Sequence, residues 1–309
     1  MSEPARRSSD GQLPYGVPPR GRRLPDATRL GAVRLVISNL DRSLEWYTRV
    51  LGLQVVDRAE ADAAPGPEHG FGGWAALGAA GGPVLVELFE QPAAHPVQRM
   101  GRLGLFHFAV LLPDRGALGQ LLRHLGRLGE PVGASDHLVS EALYLYDPDG
   151  LGVEVYADRP RSQWRHRGRE LAMATEPLDA RALIASAGGA AWSGMPEGSV
   201  MGHVHLHVGD LAEAERFYHH GLGLDRMVWS YPGALFLAAG GYHHHLGVNT
   251  WNAGAPQPSS DDARLLEWEL VVPSAEDVRG LVRSVEGPDG DEGLVVDPWG
   301  TPLRIRPER

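Results

Sequence analysis

The densest chemistry in this chain is imidazole: it has 14 histidines and no cysteine, and the histidines come in clusters. In the stretch His203–Val208, strand alternation puts Val204, Leu206 and Val208 on one face and His203, His205 and His207 on the other. The apolar face must pack, so the three imidazoles line the opposite, concave side. In Gly241–Asn249 (GYHHHLGVN) the same alternation sends Tyr242, His244, Leu246 and Val248 to the packing face. His243, His245, Gly247 and Asn249 then face the cavity. A bulge would exchange the two faces, which keeps His244 in reserve. His107 stands opposite a packing face of Phe106, Phe108 and Val110, and Glu154 stands opposite Val153 and Val155. A lone strand glutamate is usually a solvated surface residue, but Glu154 shares its segment of chain with His107. Two neutral imidazoles and one carboxylate make a facial donor set that suits non-haem Fe(II) or Mn(II), with positions left open for substrate and dioxygen. A Zn or Ni isomerase would use similar donors. Without cysteine, no thiolate can serve as ligand or nucleophile.

These residues are positioned by a repeat. Four segments share one plan: LGAVRLVISNLDRSLEWYTRVLGLQVVDR from near Leu30, GLFHFAVLLPDRGALGQLLRHLGRLG from Gly104, MGHVHLHVGDLAEAERFYHHGLGLDRMVWS from Met201, and LLEWELVVPSAEDVRGLVRSVEG from Leu265. Each reads as an alternating strand, a polar turn and an amphipathic helix. Asn39–Leu40–Asp41 supplies a helix start, Leu44, Tyr47 and Leu51 recur at helical spacing, and Gly52 and Gly223 end their helices. About three further strands follow each helix, and those closing modules two and four come after DPDG (147–150) and DPWG (297–300) turns. A single βαβββ module leaves one sheet face bare, so modules must pair and curl around a shared concavity. Four modules therefore predict an α+β protein of two domains with curved mixed sheets.

At 309 residues the chain is long enough for two such cores. A net charge of −10 argues against nucleic acid or an anionic membrane surface as partner. No apolar run approaches the roughly 20 residues of a membrane span. The opening MSEPARRSSDGQLPYGVPPRGRR has no signal-peptide pattern, so a cytoplasmic location is expected. Its Arg, Pro, Gly and Ser content predicts a disordered tail over 1–28. The expected division is 29–160 for modules one and two, a connector with one short helix over 161–199, and 200–309 for modules three and four.

The stretches GASDHLVSEALYLYDPDGLGVEVYADRP (133–160), GHVHLHVGDLAEAERFY (202–218) and GGYHHHLGVNTW (240–251) carry a resemblance. The chain is similar to the vicinal-oxygen-chelate superfamily of glyoxalases, bleomycin- and fosfomycin-resistance proteins and type I extradiol dioxygenases. In look it is nearest to two-domain Bacillus-type catechol 2,3-dioxygenases. The resemblance implies glyoxalase-like domains, with one metal ligand at the head of a module's first strand (H-V-x-L-x-V-x-D) and a carboxylate on its last. It puts His203 and His107 in the first place and Glu154 in the second. The corresponding first-strand places in modules one and four hold Ala32 and Glu267. The last-strand places hold Glu87 in module one, Arg304 in module four and, nearby, His245 in module three. The usual layout draws all ligands from the two C-terminal modules. Here the donors concentrate in modules two and three, which points to pairing of those modules across the connector. The other arrangement is an N-terminal site of His107, Glu154 and Glu87.

What the resemblance implies is ring cleavage of a small catecholic aromatic by dioxygen, with the metal held by His107, Glu154 and His203. His245 or His244 would be the acid–base, while His137 and Tyr144 would hydrogen-bond the substrate or ring product. Fe(II) is the expected metal, Mn(II) a second choice, and Zn or Ni would serve an isomerase. No organic cofactor site is expected, and self-association into a homo-oligomer is left open. Trp251, Asn249 and Phe108 are candidates to shape the cavity. The rival readings are a glyoxalase-like isomerase or lyase with His107, Glu154, His203 and His245 as four donors, and a non-catalytic binding protein of the resistance type.

Overall fold

The computed structural model describes residues 15–60, 71–97, 101–286 and 293–308. The four first strands are Arg29–Ile37, Gly104–Leu111, Val200–His207 and Arg264–Val272. The helices that follow are Leu40–Arg49, Arg115–Leu128, Leu211–Ala214 widening into a π-helical turn at Glu215–Gly221, and Ala275–Glu286. Each begins on a short polar residue that takes up an otherwise unpaired amide. Asn39 accepts from Arg42, Asp114 from Ala117, Asp210 from Glu213, and Ser274 Oγ from Asp277. Removing such a cap costs about 1 kcal/mol. Gly129 closes the second helix in the left-handed region at φ 69°.

The strands join into two sheets that pair non-adjacent modules. One has nine strands and couples modules two and three, through Gly104–Leu111 antiparallel to Val200–His207. The other has seven and couples modules one and four, through Arg29–Ile37 antiparallel to Arg264–Val272. Within a module the last strand runs parallel to the first, as Gly152–Asp158 does beside Gly104–Leu111. The sheets thus run across the division of the chain at 161–199. Consecutive modules still touch through a tyrosine on one helix and a turn of the next module. Tyr47 donates to Asp147 Oδ2 of DPDG at 3.1 Å, and Tyr218 donates to Asp297 Oδ2 of DPWG at 2.8 Å.

Two expectations need correction. The predicted disordered tail is ordered where it is described. Tyr15 and Leu24 are buried, Val17 bridges to Arg226, and Arg23 forms a two-pronged ion pair with Asp225. Residues 1–14 of that tail lie outside the described residues. The connector does contain its one helix, Ala180–Ser186, but is more than a linker. Glu176–Pro177 adds an edge strand to the nine-stranded sheet. The helix lies so close to Arg115–Leu128 that a Cβ on Gly119 would come within 2.2 Å of Leu183 O.

Candidate metal centre and its cavity

The pairing of modules two and three brings Gly152–Asp158, Gly104–Leu111 and Val200–His207 side by side, with His107 opposite His205 and Ala109 opposite both His203 and Glu154. His107, Glu154 and His203 are all buried, and each offers a ligand atom within 4.8 Å of the others. His203 Nε2 lies 3.2 Å and His107 Nε2 2.9 Å from Glu154 Oε2. The contact from His107 lacks the alignment of a hydrogen bond, so its Nε2 is a buried nitrogen with no hydrogen-bond partner.

Burial would by itself raise the Glu154 carboxyl, but His203 and then His107 more than reverse this and hold it well below the usual carboxylate range. Burial pulls His203 down to about 4, against the opposing pull of Glu154. At neutral pH the centre therefore holds a Glu154 carboxylate beside a neutral His203 imidazole, the protonation state a divalent cation requires of such ligands. The unpartnered Nε2 of His107 and the convergence of three donors fit a bound metal, with O and N donors that suit Fe(II), Mn(II), Zn or Ni.

The donors open onto a cavity of about 410 Å³ whose walls include Phe106, Tyr144, Phe236, His244 and Trp251. Tyr144 and His137 form a pair, with Tyr144 OH 2.6 Å from His137 Nε2. His137 Nδ1 lies 2.7 Å from Ala174 O, which only accepts, so Nδ1 carries a proton there and Nε2 is the nitrogen that meets Tyr144. Burial, followed by the nearby Glu154 charge, pushes the Tyr144 hydroxyl well above its ordinary range. Asn249, fully buried, braces two more rings. The Trp251 backbone N–H donates to its Oδ1, which identifies that atom as the oxygen and makes Nδ2 the donor to His205 Nε2 at 3.0 Å. Its Oδ1 also accepts from His207 Nδ1 at 2.7 Å. His205 therefore borders the centre with Nε2 already occupied. Gly247 is glycine because a Cβ there would lie 2.9 Å from the His205 ring.

Several sequence expectations fall out differently. The strand in GYHHHLGVN is only Leu246–Asn249, so alternation does not extend back to the three histidines. His244 borders the cavity, its ring 4.0 Å from that of His203. His245 does not. Its Nδ1 accepts from Ala239 N–H, and its ring lines a separate cavity with Arg161 and Tyr242. Phe106 was assigned to the packing face, but a register shift between His205 and Leu206 turns it into the cavity against His107, at 4.8 Å between rings. Phe108 stays in the core with no exposed surface. Met173 and Thr175 of the connector also line the cavity, which no residue pattern in that segment announced.

Among the described residues, the corresponding face of the other sheet holds no such centre. Arg34 contacts Glu87, Glu267 and Glu269, while Arg304 pairs with Glu267 and Arg306 with Glu269. Glu87 is therefore tied to an arginine and is apart from His107 and Glu154.

Fold and centre together define a paired-module protein with a candidate metal site, and the chain belongs to the glyoxalase/bleomycin resistance protein/dioxygenase superfamily. The model of that superfamily matches residues 29–155. Catechol-2,3-dioxygenase of Bacillus subtilis (strain 168) is 43% identical over 248 residues, covering 79% of this chain and 82% of the relative. Two solved structures share the fold. A proposed dioxygenase from Bacillus subtilis has a TM-score of 0.60 at 12% identity, over 93% of this chain and 86% of the other. Glyoxalase I from Zea mays has a TM-score of 0.54 at 18% identity, over 90% and 92%. No helix among the described residues is long and apolar enough to cross a membrane.

Proposed function

We propose that this chain is a non-haem, metal-dependent extradiol dioxygenase that cleaves a catechol-type ring beside its hydroxyls. In the reaction a ring carbon–carbon bond breaks and both atoms of dioxygen enter the product. The observation that carries the reading is the His107–Glu154–His203 set opening onto an aromatic-walled cavity with His244, His137 and Tyr144 on its sides. The identity with a relative named catechol-2,3-dioxygenase agrees with it. His107, Glu154 and His203 would hold Fe(II), with Mn(II) the second choice. When bound, the metal supplies Lewis acidity that lowers the pKa of a catechol hydroxyl, and a redox centre beside which dioxygen reacts.

The protein's own groups orient the ring and manage its protons. Phe106, Phe236 and Trp251 offer faces and edges to an aromatic ring. Tyr144, held by His137, offers its hydroxyl to a substrate oxygen at the cavity wall. His244 is the proton acceptor and donor. Burial, with the surrounding imidazoles, holds it well below the ordinary histidine range, so it enters the reaction neutral. The glyoxalase-like reading called for His245 as fourth donor, and His245 borders a different cavity.

The test is anaerobic Fe(II) reconstitution of the wild type and of His107→Ala, Glu154→Ala and His203→Ala, with metal analysis and oxygen uptake on catechol. Stoichiometric iron and a yellow ring-cleavage product in the wild type, both lost in all three variants, support the reading. Iron retained without oxygen uptake on any catechol overturns it.

A further inference from the structure

Behind His244, away from the cavity, a chain of polar groups runs through the protein that the reading above does not use. His243 has no exposed surface. Its Nε2 lies 2.9 Å from Asp158 Oδ1, and its Nδ1 lies 2.6 Å from His244 Nδ1. Asp158 Oδ1 also accepts from Tyr242 OH at 3.2 Å, and Tyr242 OH is hydrogen-bonded to Tyr156 OH at 2.7 Å. The His243 ring is clamped by aromatic neighbours, with centroids 4.1 Å from Tyr242 and 5.4 Å from Trp164. Asp158 ends the last strand of module two and His243 precedes the last strand of module three, so only the pairing of these modules brings them together.

We infer that Asp158 and His243 are positioning residues that fix His244 as its Nδ1–H tautomer and leave Nε2 as the unprotonated nitrogen for the cavity; this rests on the dioxygenase reading only for the identity of the proton that Nε2 receives. The argument is a count of protons. A carboxylate only accepts, so the proton between Asp158 and His243 sits on His243 Nε2. With that one proton on its ring, His243 keeps Nδ1 as an acceptor. Two Nδ1 atoms at 2.6 Å need one proton between them, and it then comes from His244. His244 Nδ1 is committed to that bond, so Nε2 is the nitrogen it has for the cavity its ring borders. Fixing a catalytic imidazole's tautomer through its far nitrogen is the role that an orienting carboxylate plays elsewhere. Here a second imidazole extends the reach of the carboxylate by one ring.

The tautomer is measured directly by two-bond ¹⁵N–¹H correlation spectra of ¹⁵N-histidine-labelled full-length chain, stripped of metal by chelation. Asp158→Leu, His243→Phe and His244→Gln supply the assignments. The expected spectrum has His244 protonated at Nδ1 and unprotonated at Nε2, with His243 the reverse. In Asp158→Leu and His243→Phe the His244 proton should move to Nε2. After Fe(II) loading, kcat on catechol should fall about tenfold or more, with KM and iron content nearly unchanged. Wild-type His244 protonated at Nε2, or a His244 tautomer indifferent to His243→Phe, overturns the inference, and the wild-type spectrum decides even if a variant fails to fold. If the tautomer is as stated but no catechol is cleaved, the dioxygenase reading falls and the positioning by Asp158 and His243 stands.

Discussion

Arg34 stands opposite Glu267 across the central antiparallel pair of the seven-stranded sheet, where His205 stands opposite His107 in the nine-stranded one. Next to them, Arg304 is in strand register with Glu269 as Glu154 is with Ala109. The same scaffold positions carry donors for a cation in one sheet and an arginine–glutamate network in the other. In the second sheet the positive charge is supplied by Arg34, Arg304 and Arg306.

Arg34→Ala removes the guanidinium that Glu87, Glu267 and Glu269 share. Two of those carboxylates are nearly fully buried but keep Arg304 and Arg306, so losing Arg34 should cost about 1–3 kcal/mol. Thermal unfolding should show a fall of several degrees, while the iron content of protein still folded at 20 °C stays at the wild-type level.

Tyr47→Phe takes the hydroxyl from Asp147 Oδ2, whose carboxyl burial has already pushed up to about 7. Leaving that oxygen unpaired should cost about 1–3 kcal/mol in chemical denaturation. Tyr218→Phe, against Asp297, should behave alike. A double variant close to additive would show that the two turns brace separate helix contacts.

The metal-free chain should lose stability between about pH 6.5 and 4. His203 is depressed to about 4 by burial, and His205 and His244 are depressed well below 6.5, again chiefly by burial. Across that window the unfolded chain binds more protons than the folded one, so stability is present above 6.5 and falls as pH drops. Asp147, raised by burial to about 7, works in the opposite direction over the same range. Asp297, also raised by burial, opposes the histidines with Asp147; with several histidines against these two carboxyls, the denaturation midpoint should decline as pH is lowered from 7 to 4. A midpoint that rises would contradict this account.

Tyr144→Phe keeps the ring but removes the oxygen that faces the cavity. We expect kcat for catechol cleavage to fall by about 10- to 100-fold, with bound iron unchanged. His137→Phe should give a smaller loss, since the Tyr144 hydroxyl persists but loses its partner at 2.6 Å.

The sequence by itself determined the module plan, because strand alternation, helix caps at Asn39, Asp114 and Asp210, and the DPDG and DPWG turns are local signals repeated along the chain. It also determined which side chains the central strands present: His107 and Glu154 from one module and His203 from another can be named from period-two patterning alone. That these donors share one centre was argued from where donors were missing, at Ala32 and Arg304, and no local signal could decide it. Tertiary structure alone decided the rest. Whether His244 or His245 meets the cavity depends on where Leu246–Asn249 begins to pair, since the histidines ahead of that strand do not follow its pleat. Phe106 is turned by a register shift that exists only once two strands are hydrogen-bonded. Asp158 and His243 are separated by most of the connector and module three, and their 2.9 Å contact depends on hydrogen bonding between strands of two modules, which no residue pattern encodes.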